Sequence, residues 1–271
     1  MEWTIHYDLM EDREINEKAS LVVDDIAEEF ERLIPQGPPL GYKPVHLIND
    51  PVAGPTLYWP LGKDYYKVGL NISNVFYNQV AFQFSQVFSR LYCDPRIDNW
   101  FIQLIDHVAA LYFLDHLNEK WETHPPVEEV KEYHENFSNY RSNLLGTAFS
   151  RIDMVKYQIS NEWVKDQVKK FMSGETYNRG KMLIVAYEIL GLFRESDSHW
   201  QMLPYIGKAS VPAPPDDPGD VTTIRQTSMD FNRLMEIVPD DLKHFVQRLV
   251  DKFGVLEQEA NPNKNTPEEP E

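Results

Sequence analysis

The sequence predicts an α+β fold, in which a small N-terminal mixed sheet with one helix precedes a mostly helical body. Strand-like alternation and short β-branched or aromatic runs are confined to the N-terminal part of the chain. Apolar residues at helical spacing dominate the remainder. Strands that come early in a chain and helices that follow them indicate a sheet with helices packed against it.

Four N-terminal segments have strand patterns. Trp3, Ile5 and Tyr7 alternate with polar residues, and the runs PVHLIN (44–49), TLYWP (56–60) and YYKVGLNI (65–72) follow. Prolines bracket the run at 56–60, and proline is tolerated mainly at the edge of a sheet. We therefore predict that 56–60 is an edge strand.

Helical spacing covers residues 15–34 and most of the chain beyond Ser73, which is a plausible N-cap. The later predicted helices lie at about 74–92, 98–121, 127–141, 160–172, 176–194, 198–206, 222–237 and 239–252.

The chain is predicted to divide at its proline-rich stretch. Residues 1–208 form the main α+β domain, and the run at 209–221 is a linker on the surface. Residues 222–256 form a C-terminal helical segment, and the acidic tail 257–271 is expected to be disordered because it has no large apolar residue.

Composition restricts the classes of partner. Lysine and arginine number 26 against 43 acidic residues, so the net charge is −17. Nucleic acid and anionic lipid both require a basic face, and neither is expected as a partner. A single cysteine, no signal-peptide pattern and no membrane-length apolar run favour a cytoplasmic protein without a disulfide. We predict no cofactor, and the sequence leaves the oligomeric state open.

A line of polar residues runs along the predicted helix 74–92. Gln79, Gln83, Gln86 and Arg90 are spaced 4, 3 and 4 residues apart, within an arc of about 60°. The rest of that helix is mainly apolar, which is typical of a buried helix. This line either meets solvent, forms an internal hydrogen-bond network, or lines a cleft that holds a ligand such as an anion.

The next predicted helix carries a similar polar group, formed by Gln103, Asp106 and His107, among apolar neighbours. Two consecutive buried helices that each carry a narrow polar line are expected to face each other or a shared groove. In that arrangement Asp106 is a candidate partner for Arg90.

The run from YYKVGLNI through QFSQVFSR to NWFIQLIDH, within residues 65–121, resembles a bacterial family of zinc-peptidase-like proteins of the gluzincin type. In that family a strand of the form IGL leads into a helix with the pattern QFxHExxH. The two histidines bind Zn²⁺, the glutamate is the general base, and a second helix beginning NWFEE supplies the third ligand. The segment 178–200 resembles the family more weakly. The resemblance implies a zincin-like fold.

The positions that would carry the chemistry are substituted. The two metal-binding histidines correspond to Gln86 and Arg90, and the general base corresponds to Val87. The third ligand corresponds to Gln103 or, one residue off, Ile102, and an outer acid corresponds to His107. Glutamine is a poor zinc ligand, arginine is a fixed cation, and valine cannot accept a proton from water.

The resemblance and these substitutions together imply a catalytically inactive metallopeptidase-like protein, which we expect to bind a protein or peptide. A sheet edge at 56–60 could pair with the backbone of such a ligand. Two alternatives stay open. One is a metal-independent enzyme or small-anion-binding protein that uses Arg90, Asp106 and His107. The other is an acidic scaffold or immunity-type partner for a basic target. The candidate cleft residues are Gln83, Gln86, Val87, Arg90, Gln103, Asp106 and His107.

Overall fold

The N-terminal sheet has four strands in a computed structural model that describes residues 2–9, 11, 13–72, 76–152, 159–174, 178–222 and 224–255. The strands are β1 (Ile5–Asp8), β2 (Val45–Asn49), β3 (Thr56–Leu57) and β4 (Tyr66–Leu70), in the order β1-β2-β4-β3. β1, β2 and β4 are parallel, and β3 pairs antiparallel with β4. The mixed sheet and the edge position of the segment around Thr56 are therefore confirmed.

Helix α1 (Arg13–Leu33) joins β1 to β2 and packs against helix α2 (Tyr77–Cys93). Residues Val22, Ile26 and Phe30 recur on one face of α1 and are completely buried. Because that stripe is apolar, α1 buries it in the core, chiefly against α2.

The helical body follows the sheet, as predicted, and its first member is α3 (Trp100–Thr123). The further helices are a 3-10 turn (Glu128–Tyr133), α4 (His134–Arg151), α5 (Asn161–Met172), α6 (Arg179–Arg194), a 3-10 turn (Asp197–Met202), α7 (Leu203–Ile206), α8 (Phe231–Ile237) and α9 (Asp240–Phe253).

α2 and α3 form the centre of the molecule and pack along one another. α2 ends at Cys93 because Asp94 has a φ of 76° and Pro95 cannot continue the helix. The Asp94 carboxylate accepts hydrogen bonds from the backbone and the guanidinium of Arg96, at 2.8–3.1 Å. Asn99 caps α3 by accepting from the backbone N–H groups of Phe101 and Ile102. This turn brings the polar residues of both helices to the same side.

Short strands replace part of the helix that we predicted at 222–237. β5 (Ile97–Asp98) pairs in parallel with β7 (Arg225–Gln226), and β6 (Ser210–Val211) pairs antiparallel with β8 (Ser228–Met229). The helical prediction was wrong there because backbone pairing with distant residues decides the structure, and helical spacing does not detect such pairing. The predicted helix 127–141 is likewise a 3-10 turn followed by α4, which runs to Arg151.

The segment 209–221 lies mostly on the surface and is hydrogen-bonded to the body. The Val221 carbonyl accepts a hydrogen bond from Leu61, and the Asp217 carbonyl accepts one from Arg96. Beyond it, Phe245 and Phe253 of α9 join the same apolar core as α3 and α6. The predicted cap Ser73 and the tail 257–271 lie outside the described residues.

Candidate functional site

A cleft of about 500 Å³ opens between β3, α2, α3 and the first residue of α6. We call it the central cleft. Its lining residues are Pro55, Thr56, Leu57, Trp59, Gln86, Val87, Arg90, Pro95, Gln103, Asp106, His107, Arg179 and Ile224.

Six of the seven candidate residues from the sequence line this central cleft: Gln86, Val87, Arg90, Gln103, Asp106 and His107. They come together because α2 and α3 are packed side by side, so that one polar line on each helix meets the same space.

Gln83 is the exception, and its side chain does not line the central cleft. Its amide oxygen accepts from the Asn71 backbone N–H at 2.7 Å, and its amide nitrogen donates to the Asn71 carbonyl at 2.8 Å. Gln83 therefore holds the chain where it leaves β4. The placement of Gln83 in the cleft was wrong because periodicity cannot distinguish a hydrogen bond to nearby backbone from a position in a cleft.

An ion pair between the two helices forms the floor of the cleft. Arg90 Nε donates to Asp106 Oδ2 at 2.6 Å, and Ser89 Oγ donates to Asp106 Oδ1 at 3.0 Å. Arg90 Nη1 also lies 3.6 Å from Asp98 Oδ1, and Gln103 Nε2 donates to Asp98 Oδ2 at 3.0 Å. The expectation that Asp106 pairs with Arg90 is thus confirmed, and a network of internal hydrogen bonds satisfies much of the polar line.

Burial controls the protonation of Asp106. Removal from water raises the pKa of Asp106 to about 6, against the opposing effect of Arg90. Burial alone would lower the pKa of Arg90, but Asp106 and Asp98 hold it above its usual value. The arginine is therefore a permanent cation that shares its charge with two acids.

His107 is a neutral imidazole at physiological pH. Burial, followed by the charges of Arg179 and Arg90, lowers its pKa to about 3. Gln86 Nε2 lies 3.3 Å from His107 Nδ1, and with the amide nitrogen as donor the imidazole carries its proton on Nε2. A histidine with so low a pKa is a weak general base at neutral pH.

Arg179 and Ile224 are among the lining residues that were not singled out from the sequence. Arg179 is the first residue of α6 and follows the capping residue Asn178. Its helix start was approximately predictable, but the direction of the side chain depends on how α6 packs against α3 and α4. Tertiary packing alone brings these residues to the cleft.

The cleft residues do not fit a zinc ion. The residues that line the cleft include the amides of Gln86 and Gln103 and the guanidinium of Arg90, and the Arg90 cation would repel Zn²⁺. Within the described ranges, no group of three or more histidine, cysteine, aspartate or glutamate residues is arranged to hold a metal ion.

No helix in the described part of the chain is both long enough and apolar enough to cross a bilayer.

Comparisons with protein-family models, with curated proteins and with solved structures each give no match to this chain.

Proposed function

We propose that this protein binds an extended peptide in the central cleft without cleaving it, as a metal-free, zincin-like relative of gluzincin-type zinc peptidases. One observation carries the proposal. Gln86 and Arg90 on α2 and Gln103 on α3 line the same cleft as the antiparallel edge strand β3. These are the residues that correspond to the metal ligands in the resemblance.

The edge strand supplies a means of holding peptide backbone. Thr56 and Leu57 of β3 both line the cleft. The Tyr58 backbone N–H donates to the Lys67 carbonyl, so the alternation of an antiparallel pair directs the N–H and C=O of Leu57 away from β4. A peptide could therefore add a strand to β3, with hydrogen bonds that do not depend on its sequence.

The floor of the cleft supports binding rather than hydrolysis. Val87 has no basic atom at the position that corresponds to the catalytic glutamate. The Arg90 guanidinium is in an ion pair with Asp106. The His107 imidazole is neutral, and its Nδ1 lies beside the Gln86 amide. The same ion pair weakens the alternative of a small-anion enzyme, because Arg90 would have to leave a buried carboxylate in order to bind substrate.

The test is a retention experiment with the full chain. Purified protein is immobilised and exposed to a synthetic mixture of random linear peptides with free carboxyl termini, and retained peptides are identified by mass spectrometry. We expect selected peptides to be retained and recovered intact, with and without added Zn²⁺. Metal analysis of the protein should show no stoichiometric zinc, and a casein hydrolysis assay should be negative.

A matched pair of variants locates the binding. Val87→Trp places an indole in the cleft and should abolish retention, whereas Val127→Trp adds the same group at an exposed position outside it. Circular dichroism establishes that both variants fold. Retention that is equal in the two variants, or peptides that are recovered cleaved, would overturn the proposal.

A further inference from the structure

A second cavity, of about 370 Å³, adjoins the central cleft, and we call it the side pocket. Its apolar lining comes from α2, α4 and α6 and includes Phe82, Tyr140, Leu144 and Leu183. The Phe82 and Tyr140 rings meet edge to face, with their centroids 5.9 Å apart. A cavity of this size and character accommodates a large apolar side chain.

Arg179 lies on the boundary between the two cavities, because it lines both of them. On one side its charge is close enough to lower the pKa of His107 in the central cleft. On the other side its guanidinium lies over the Phe82 ring, 5.5 Å from the centroid. A ligand that runs from the cleft into the side pocket must therefore pass this cation.

Arg151, at the end of α4, supplies a second cation to the side pocket. Within the described ranges, neither Arg151 nor Arg179 has a carboxylate within salt-bridge distance. Many of the other basic residues of this acidic protein are in ion pairs, including Arg141 and Arg194 with Asp115. Two arginines that have no acidic partner among the described residues, beside an apolar cavity, are complementary to a ligand that is both apolar and anionic.

We propose that the side pocket receives the last residue of a peptide, with a large apolar side chain among Phe82, Tyr140 and Leu183 and the terminal carboxylate at Arg179 and Arg151. This inference rests on the proposed function and makes it specific: the ligand is a peptide C-terminus. Arg179 lines both the side pocket and the cleft that β3 borders, which favours a peptide that reaches both cavities over a free organic acid.

Fluorescence anisotropy with defined probes tests the inference. The probe is an N-terminally labelled Thr-Val-Thr-Val-Phe peptide with a free carboxylate. It is compared with its C-terminal amide and with a peptide in which lysine replaces the final phenylalanine. A hydrogen bond to a charged group predicts that the free acid binds about tenfold more tightly than the amide, or better. The lysine-terminated peptide should bind weakly, because its cation would meet two arginines.

Substitutions distinguish the contribution of the arginine charges to binding from that of the apolar side pocket. Arg151→Gln and Arg179→Gln, made together, should reduce affinity for the free acid to that for the amide, whereas Arg233→Gln, a glutamine substitution at an exposed residue of α8 outside both cavities, should leave the ratio unchanged. Thr147→Trp should fill the side pocket and weaken both peptides, and Thr147→Ala should not. Thr147 is exposed, and its hydroxyl bonds only within α4, so both variants should fold.

The outcomes distinguish this inference from the proposed function. Equal binding of the acid and the amide to the wild type, or a preference that survives in the variant with both Arg151→Gln and Arg179→Gln, overturns C-terminal recognition while peptide binding in the cleft stands. If no probe binds and the random mixture yields no retained peptide, both are overturned. Phenylpropionic acid that competes as well as the pentapeptide would show a small-acid site and would also overturn the peptide assignment.

Discussion

Arg90 of α2 and Asp106 of α3 are joined by a charged hydrogen bond of 2.6 Å across the central helix pair. The aspartate side chain is 5% exposed and the arginine side chain 29% exposed. The Asp106 carboxylate therefore depends on Arg90 to balance its charge, whereas Arg90 can also be solvated by water. The pair occupies the part of the cleft where, by the resemblance, a metal-binding residue would lie. Its unequal burial leads to the first prediction.

Arg90→Met should destabilise the protein by about 3 kcal/mol, because it leaves a buried carboxylate without its cation. Asp106→Leu should cost less, since Arg90 can still reach solvent and Asp98. The double variant should be more stable than Arg90→Met alone. Urea denaturation of all four proteins in a double-mutant cycle measures the coupling.

The control for that cycle is Arg13→Met, which breaks an exposed ion pair with Glu17 within α1 and should have no measurable effect. A double variant that is as unstable as Arg90→Met would contradict the explanation, since the penalty would then not arise from an unpaired acid.

The second prediction concerns pH. The His107 pKa is about 3 in the folded protein against 6.5 ordinarily, so between those values only the unfolded chain binds this proton. His107 therefore makes stability rise with pH across that window, by at most about 1.4 kcal/mol per unit.

Asp106 acts in the opposite direction, because its folded pKa of about 6 lies above the ordinary 3.8 and the folded protein holds that proton longer. The two effects oppose each other between about pH 4 and 6. In His107→Gln only the contribution of Asp106 remains. The stability of the wild type relative to this variant should therefore increase as pH rises toward 6.5, as measured by urea midpoints. A difference that does not change with pH would contradict the burial of a neutral imidazole.

A third prediction follows from the two hydrogen bonds between Gln83 and the Asn71 backbone. Gln83→Met keeps the size of the side chain but removes both bonds, and should destabilise the protein by about 1–2 kcal/mol. Hydrogen exchange at Asn71 and the end of β4 should become faster.

Gln79→Met is the matched control, because Gln79 lies on the same side of α2 and is partly exposed. If the two variants behave alike, the hydrogen bonds to Asn71 are not what stabilises this part of the chain.

A fourth prediction tests the zincin-like arrangement itself. Gln86→His, Val87→Glu, Arg90→His and Gln103→Glu, made together, restore the ligand types of the resembled family. The restored protein should bind about one Zn²⁺ per chain, which metal analysis after dialysis would detect. The control variant carries Gln79→His and Gln83→His, which have the same spacing of two histidines along α2. Because Gln83 does not line the cleft, this control should not bind stoichiometric zinc. A restored protein that folds but binds no zinc would argue against kinship with these peptidases.

Much of the fold was predictable because it depends on local pattern. Period-two alternation located β1, helical spacing located α1, α2 and α3, and bracketing prolines identified β3 as an edge strand. The pairing of β5 with β7 was not predictable, since two-residue strands carry almost no pattern and join residues far apart in the chain.

The sequence by itself determined that α2 and α3 are buried helices, each with a narrow polar line. Only the tertiary structure decided which polar groups meet in the cleft. Packing of α2 on α3 pairs Arg90 with Asp106, while Gln83 turns to the Asn71 backbone, although both lie on the same line of one helix. The physical reason is that a buried polar side chain takes whichever partner the fold brings within reach, and periodicity fixes only its direction.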